Sequence, residues 1–165
     1  MRVLILSILL LTSAHLLGQR YSIGLATAYG NEIDAVGYQL RAYYNIDHKT
    51  CFGPEFTYFP ESSRTVAGER VDVSLTEYNF NGHHHLYFGL EHLGIYPLGG
   101  LNYSVEKIGT EEETAFGLNI GAGIHYSKKK WTLFSEVIHL TGDLSEETFV
   151  FGIFYTPSKS HEQHD

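Results

Sequence analysis

Residues 115–126, AFGLNIGAGIHY, constrain the fold of this chain more than any other stretch. Every second residue is apolar or aromatic: Phe116, Leu118, Ile120, Ala122, Ile124 and Tyr126. The residues between them are small or polar and include no acid and no lysine: Gly117, Asn119, Gly121, Gly123 and His125. A period of two predicts a β-strand with two different faces. The polar face is too small for an ordinary solvated surface, which indicates the inside of a narrow barrel with hydrocarbon outside.

The same alternation recurs along the chain, so the sequence predicts eight strands. These are residues 21–30, 36–46, 51–60, 71–88, 93–107, 115–126, 131–141 and 148–156. Short turns alternate with polar loops, and the loops at 61–70 and 108–114 are longer and more charged. That asymmetry is typical of bacterial outer-membrane barrels, and eight strands suit a lumen filled by side chains. The predicted fold is all-β, an eight-stranded antiparallel up-and-down transmembrane β-barrel over residues 20–156.

The two ends of the chain do not share the alternation. Residues 1–19 join Arg2, a short apolar run and small residues, which predicts a cleaved secretory signal peptide. Its apolar run is shorter than the ~20 residues that a membrane-spanning helix needs. Residues 157–165 are polar and aperiodic, which predicts a disordered periplasmic tail.

Composition excludes some functions. The formal charge of −8 argues against a nucleic-acid partner. Cys51 is the only cysteine, so no intrachain disulfide can form, and we expect it to be a small strand residue. No stretch indicates a cofactor.

The polar strand face decides between a membrane barrel and a soluble one. A soluble periplasmic barrel would turn its apolar face inward around an apolar ligand and carry Lys, Glu and Thr outside. Here the polar face carries Gly, Asn, Ser and Gln, with about one charge per strand at most, and most charges lie in the connections. This favours the membrane barrel and leaves the soluble carrier as the alternative.

Three stretches carry a resemblance to a known family. YPLGGLNYS, AFGLNIGAGIHY and the final FVFGIFY, with the signal-like start, resemble the small OmpA/OmpX-type eight-stranded outer-membrane β-barrels. The last strand resembles the signal through which such barrels meet the barrel-assembly machinery, although this chain runs on past Tyr155. The resemblance implies location in the outer membrane. It does not imply one activity, because members serve as adhesins, tethers, packing proteins and occasionally enzymes.

Arg41, Glu55 and Glu136 each fall on the predicted inner face of a strand. Buried charges must be paired, so we expect an ion-pair network in the lumen, with a gated proton or ion path as the alternative. Large side chains share this face: Tyr43, Phe59, Tyr96 and Phe134. The sequence therefore predicts a plugged lumen and no general porin activity.

Histidines give two further hypotheses. His83 and His85 face the same side of a strand and could share a metal ion, but spacing identifies no third ligand, and lumen histidines near a periplasmic rim are the ordinary interpretation. His125, Ser127 and Glu136 are similar to the His-x-Ser and Glu set of lipid A deacylase barrels. Ser127 runs into a lysine turn that we place in the periplasm, whereas the lipid substrate lies in the outer leaflet. We therefore expect no enzyme activity, and keep a lipid-modifying enzyme as the alternative.

The expected function is structural or interaction-based. The predicted outer loops are acidic, with Glu61, Glu69, Glu111, Glu112, Glu113, Asp143, Glu146 and Glu147. Divalent cations could bridge such loops to lipopolysaccharide. Expected partners are outer-membrane lipid, the assembly machinery, and an envelope or extracellular partner met through the loops.

Overall fold

The computed structural model describes residues 21–66, 69–89 and 92–157. The predicted signal peptide, and all of the predicted tail except Pro157, lie outside the described residues. The strands are β1 (Tyr21–Gly30), β2 (Ala35–Asn45), β3 (Thr50–Val66), β4 (Glu69–His84), β5 (Leu86–Tyr87), β6 (Leu93–Ile108), β7 (Glu111–Lys128), β8 (Trp131–Gly142) and β9 (Glu146–Tyr155).

The sheet closes on itself into a barrel. Antiparallel pairing runs β4-β3-β2-β1-β9-β8-β7-β6-β5, and β4 also pairs with β6. The two-residue β5 follows β4 after a break at His85 and pairs with β6 in the same register, so β4 and β5 form one barrel strand. This confirms the predicted eight-stranded antiparallel barrel. Among the described residues, no helix is long and apolar enough to cross a membrane.

Alternation sets which side chains face the lumen. On β1, Ile23 and Leu25 are 58% and 62% exposed. Gly24, which lies between them, and Ser22, which precedes Ile23, are buried. The same pattern surrounds the barrel, where Phe116 is 79% exposed. A continuous belt of exposed apolar side chains matches the lipid-facing surface of a membrane barrel.

The two long charged loops are a wrong prediction. Residues 61–70 and 108–114 are mostly strand: β3 reaches Val66 and β4 starts at Glu69, while β6 reaches Ile108 and β7 starts at Glu111. β2 pairs with β3 only as far as Tyr58, and β7 pairs with β8 only from Gly117. Beyond those points four strands continue together, because β4 and β6 stay paired up to Val73 and Ile108. We call residues 59–66, 69–75, 103–108 and 111–116 the projecting wall.

Apolar alternation explains why these segments are ordered strands. Val73 and Leu75 on β4 turn inward and are 0% and 5% exposed. They belong to one buried cluster with Phe59 of β3 and with Ile33, which lies in the connection between β1 and β2. The wall therefore packs over the loop end of the lumen.

Glu146 is a second difference from the sequence prediction, which placed it in a solvated loop. It begins β9 and is 4% exposed. Its carboxylate accepts the backbone N–H of Glu32 at 2.8 Å and of Ile33 at 3.2 Å. Glu146 thus fastens the β1–β2 connection across the loop end.

Candidate functional site

An ion pair crosses the middle of the barrel. Arg41 on β2 is fully buried and donates from Nη1 and Nη2 to the two oxygens of Glu136 on β8, at 2.8 and 2.5 Å. Because β1 and β9 separate β2 from β8, this two-pronged contact spans the lumen rather than joining neighbours. Charge-assisted bonds of this geometry are among the strongest side-chain contacts.

Glu55 completes the group of three charges that the sequence placed inside. Its Oε2 lies 3.6 Å from Arg41 Nη2 and accepts a hydrogen bond from Gln39 Nε2 at 3.1 Å. Tyr43 donates its phenolic proton to Oε1. Gln39 also accepts from Arg41 Nε at 2.7 Å. The structure thus brings Arg41, Glu55 and Glu136 together, with two carboxylates for one guanidinium.

Aromatic rings fill the space around this group. Tyr96 donates to Glu136 at 2.6 Å, and the Arg41 guanidinium lies 4.6 Å above the ring of Phe134, within reach of a cation–π contact. Phe154 packs against Phe134 with ring centres 4.6 Å apart. Charges and rings together therefore occupy the middle of the lumen at this level.

A layer of buried asparagines, absent from the sequence-based predictions, lies further toward the loop end. Asn79 accepts from Asn102 at 2.7 Å and from Asn119 at 2.8 Å, and Asn119 also donates to Asn81 at 2.9 Å. These residues come from β4, β6 and β7. The sequence pattern that could have predicted this layer is that each asparagine occupies an inward position on its strand.

A vestibule of about 720 Å³ opens at the opposite end, beside the short turns. Its walls include Cys51, His83, His85 and His125, and it is also lined by the aromatic rings Tyr43, Tyr96, Phe134 and Phe154. The cavity therefore reaches inward from the turn end as far as these rings.

Asp47 lies at the mouth of the vestibule, in the turn between β2 and β3. Its Oδ1 accepts the backbone N–H of Lys49 and of Thr50, each at 2.7 Å. These two bonds stabilise the carboxylate and hold the pKa of Asp47 below its ordinary value.

Four side chains of types that can bind metal ions lie together in the vestibule: Cys51, His83, His85 and His125. Cys51 Sγ lies 3.7 Å from His85 Nε2, and His85 Nδ1 lies 3.1 Å from His125 Nδ1. His83 Nε2 is 3.0 Å from the hydroxyl of Tyr43. The neighbour that spacing did not supply for His83 and His85 is Cys51, which is the cross-strand partner of His83. His84 points to the other face and contacts Thr50 at 3.1 Å.

Solved structures resemble this barrel along most of their length. Neisserial surface protein A (NspA) superimposes with a TM-score of 0.63 at 12% identity, covering 83% of this chain and 96% of that one. The N-terminal β-barrel domain of Pseudomonas aeruginosa OprF gives 0.61 at 16% identity, covering 82% and 95%. Ail, the attachment invasion locus protein of Yersinia pestis, gives 0.57 at 17% identity, covering 82% and 95%.

The chain has the fold of the small outer-membrane β-barrels. This bears out the fold that the OmpA/OmpX-type resemblance implied. Identities this low speak for the fold and not for a shared activity. No family model and no curated protein matches the chain.

Within this fold, the deacylase-like residues are engaged elsewhere. The hydroxyl of Ser127 lies 2.9 Å from that of Thr132, His125 Nδ1 contacts His85, and Glu136 is bound to Arg41. Among the described contacts, none joins His125 to Ser127. The absence of enzyme activity stays a prediction.

Proposed function

We propose that the protein is a bacterial outer-membrane barrel with a structural or interaction role, acting through its surface and not as a general porin. The observation that carries this proposal is the Arg41–Glu136 pair, which reaches across the lumen from β2 to β8. Eight strands leave an interior only about wide enough for side chains. The exposed apolar belt supports the membrane location.

The proposed orientation places the short turns in the periplasm and the projecting wall outside. Tyr21 and Tyr155, the outer ends of the first and last strands, lie at the turn end, as is usual when both chain ends of a barrel are periplasmic. In this orientation β9 offers its aromatic end to the barrel-assembly machinery. The acidic wall then faces lipopolysaccharide and the cell exterior.

The projecting wall is the proposed contact surface. Within the described pairings, residues 62–66 of β3 and 111–116 of β7 are paired on one side only, so each presents a strand edge. Such edges accept an added strand from a partner. Exposed acids line the wall: Glu61, Asp72, Glu111, Glu112 and Glu113. This charge suits a basic partner, or divalent cations bridging to lipopolysaccharide.

Planar-bilayer recording tests the closed lumen. We expect the purified monomer to show no steady conductance at neutral pH. The double variant Arg41→Ala/Glu136→Ala, which removes the contact across the lumen without leaving either partner alone, is the matched control and should show small openings. Stable channels of large conductance from the parent monomer would refute the proposal and make solute transport the leading function.

A further inference from the structure

Cys51, His83 and His85 bring potential ligand atoms close together in the vestibule. One such atom from each residue lies within 4.8 Å of the other two. Cys51 Sγ and His85 Nε2 are 3.7 Å apart, close to the roughly 3.5 Å that separates two ligands of one tetrahedral zinc ion. We propose that these three side chains form a binding site for a transition-metal ion of the zinc type, a role that goes beyond the proposed surface function.

Strand geometry explains how the three ligands meet. His83 and His85 are two residues apart in an extended run, so both turn inward. Cys51 lies opposite His83 on the neighbouring strand β3. All three line the vestibule, which gives an ion a path from the turn end. Three protein ligands leave a fourth coordination position open toward the vestibule.

Hydrogen bonds hold the imidazole rings as metal ligands require. A ligating histidine commonly gives its other ring N–H to an acceptor, which fixes the ring. The hydroxyl of Tyr43 donates its hydrogen bond to Glu55, so its oxygen can only accept from His83 Nε2–H. In this tautomer the free lone pair of His83 lies on Nδ1. With His85 Nε2 turned to Cys51, His85 Nδ1–H donates to His125.

His125 supplies an independent sign that this cluster is incomplete. It is 2% exposed, and its Nε2 has no hydrogen-bond partner among the described residues. Buried polar atoms in proteins nearly always have partners.

Charge favours a cation at this place. Ionised Glu55 and Glu136 exceed Arg41 by one negative charge, and His83 Nε2 lies 3.9 and 4.0 Å from their carboxylates. A divalent ion bound to the Cys51 thiolate contributes a net single positive charge, after the thiol proton leaves to solvent. The ion and the three buried charges together are then neutral, which removes a cost of burial.

The ligand types select the metal. One thiolate and two imidazoles suit zinc or copper, whereas magnesium and calcium prefer oxygen ligands. The site therefore differs in chemistry from the acidic projecting wall, where carboxylates prevail. Zinc is the better probe of the two, because it fits this ligand set and, unlike copper, does not change its oxidation state.

The test uses the full chain without a histidine tag, refolded in detergent and stripped with a chelator. We expect Zn²⁺ titration against a chromophoric competitor to give one ion per chain. Loss of an outer supporting group usually costs 10–100-fold in metal affinity, so Cys51→Ser or His85→Gln should cost about 100-fold or more. His84→Gln removes a neighbouring histidine on the opposite face and should leave the affinity unchanged.

Cobalt provides a readout that needs no variant. Co²⁺ bound to the parent should show thiolate-to-cobalt charge-transfer absorption in the near ultraviolet, which excess Zn²⁺ abolishes. Absence of stoichiometric zinc binding, a cobalt spectrum without this absorption, or equal loss in His84→Gln would each overturn the site. Conductance and metal binding are separate measurements, so failure of this site leaves the surface function standing.

Discussion

Replacement of Arg41 by methionine isolates the energy of the contact across the lumen. Methionine keeps an unbranched side chain against Phe134 and removes the charge, both bonds to Glu136 and the bond from Nε to Gln39. Two buried carboxylates then remain without a cation. Breaking one buried pair costs about 3–5 kcal/mol, so we expect the free energy of unfolding to fall by that amount.

Second substitutions identify the partner. In Arg41→Met/Glu136→Gln the remaining carboxylate, Glu55, keeps Tyr43 and Gln39 as donors, so most of the lost stability should return. In Arg41→Met/Glu55→Gln the remaining carboxylate is Glu136, and Tyr96 is then its one donor among the described bonds. The second double variant should recover less.

Urea unfolding in lipid vesicles, followed by the fluorescence of Trp131, measures these differences. Trp131 is the only tryptophan, faces outward and packs 4.9 Å from the ring of Tyr155, away from the substitutions. Lys107→Met is the matched control, because it removes a cation from the exposed pair with Glu112 at 3.4 Å. Exposed pairs contribute about 0–1 kcal/mol.

Two results would refute this reasoning. If Arg41→Met unfolds at the same urea concentration as the parent, the guanidinium does not hold the lumen together. If both double variants recover equally, Glu136 is not the dominant partner.

Two further predictions concern the turn end of the barrel. A Cβ at Gly53 would lie 2.0 Å from the carbonyl oxygen of Ala42, whereas one at Gly99 would meet only Asn119 O at 3.7 Å. Gly53→Ala should therefore lower the free energy of unfolding in urea by about 1–3 kcal/mol, and Gly99→Ala by about 0.5 kcal/mol or less. Equal losses would contradict the close approach of β2 and β3. Since the pKa of Asp47 is lowered in the folded protein, its stabilisation is complete above the ordinary value of 3.8 and is lost as pH falls through the lowered value. The stability difference between the parent and Asp47→Ala should thus be constant at neutral pH and shrink only in acid, and a difference that grows on acidification would reverse the assigned sign.

Alternation carried most of the fold. A period of two assigns inner and outer faces without knowledge of neighbours, which is why Arg41, Glu55 and Glu136 could be placed inside from the sequence. Strand number and closure followed from the count of alternating stretches. The ends of β3, β4, β6 and β7 did not follow, because charged residues such as Glu111 and Glu113 are tolerated on a strand that leaves the barrel.

Contacts between strands required the register. Cys51 and His83 are 32 positions apart, and their pairing depends on a hairpin with an irregularity between Phe59 and Ser62. A slip of one residue would turn an entire strand face around, and the sequence alone does not reveal such a bulge. The cysteine therefore looked isolated until the strands were aligned.

The unequal strand lengths give the barrel a direction within the plane of a membrane. β1, β2, β8 and β9 have 10–12 residues, close to the ~9–11 that a tilted strand needs to cross the hydrocarbon, so they fix the depth of the barrel. β3, β4, β6 and β7 have 16–18, so in the proposed orientation they rise beyond the lipid at the outer face of the membrane. A neighbour drifting toward β1 and β9 meets a surface level with the head groups, whereas one arriving at β4 and β6 meets a barrier. The side of the barrel that faces another molecule in the same leaflet thus determines which of these two surfaces that molecule meets.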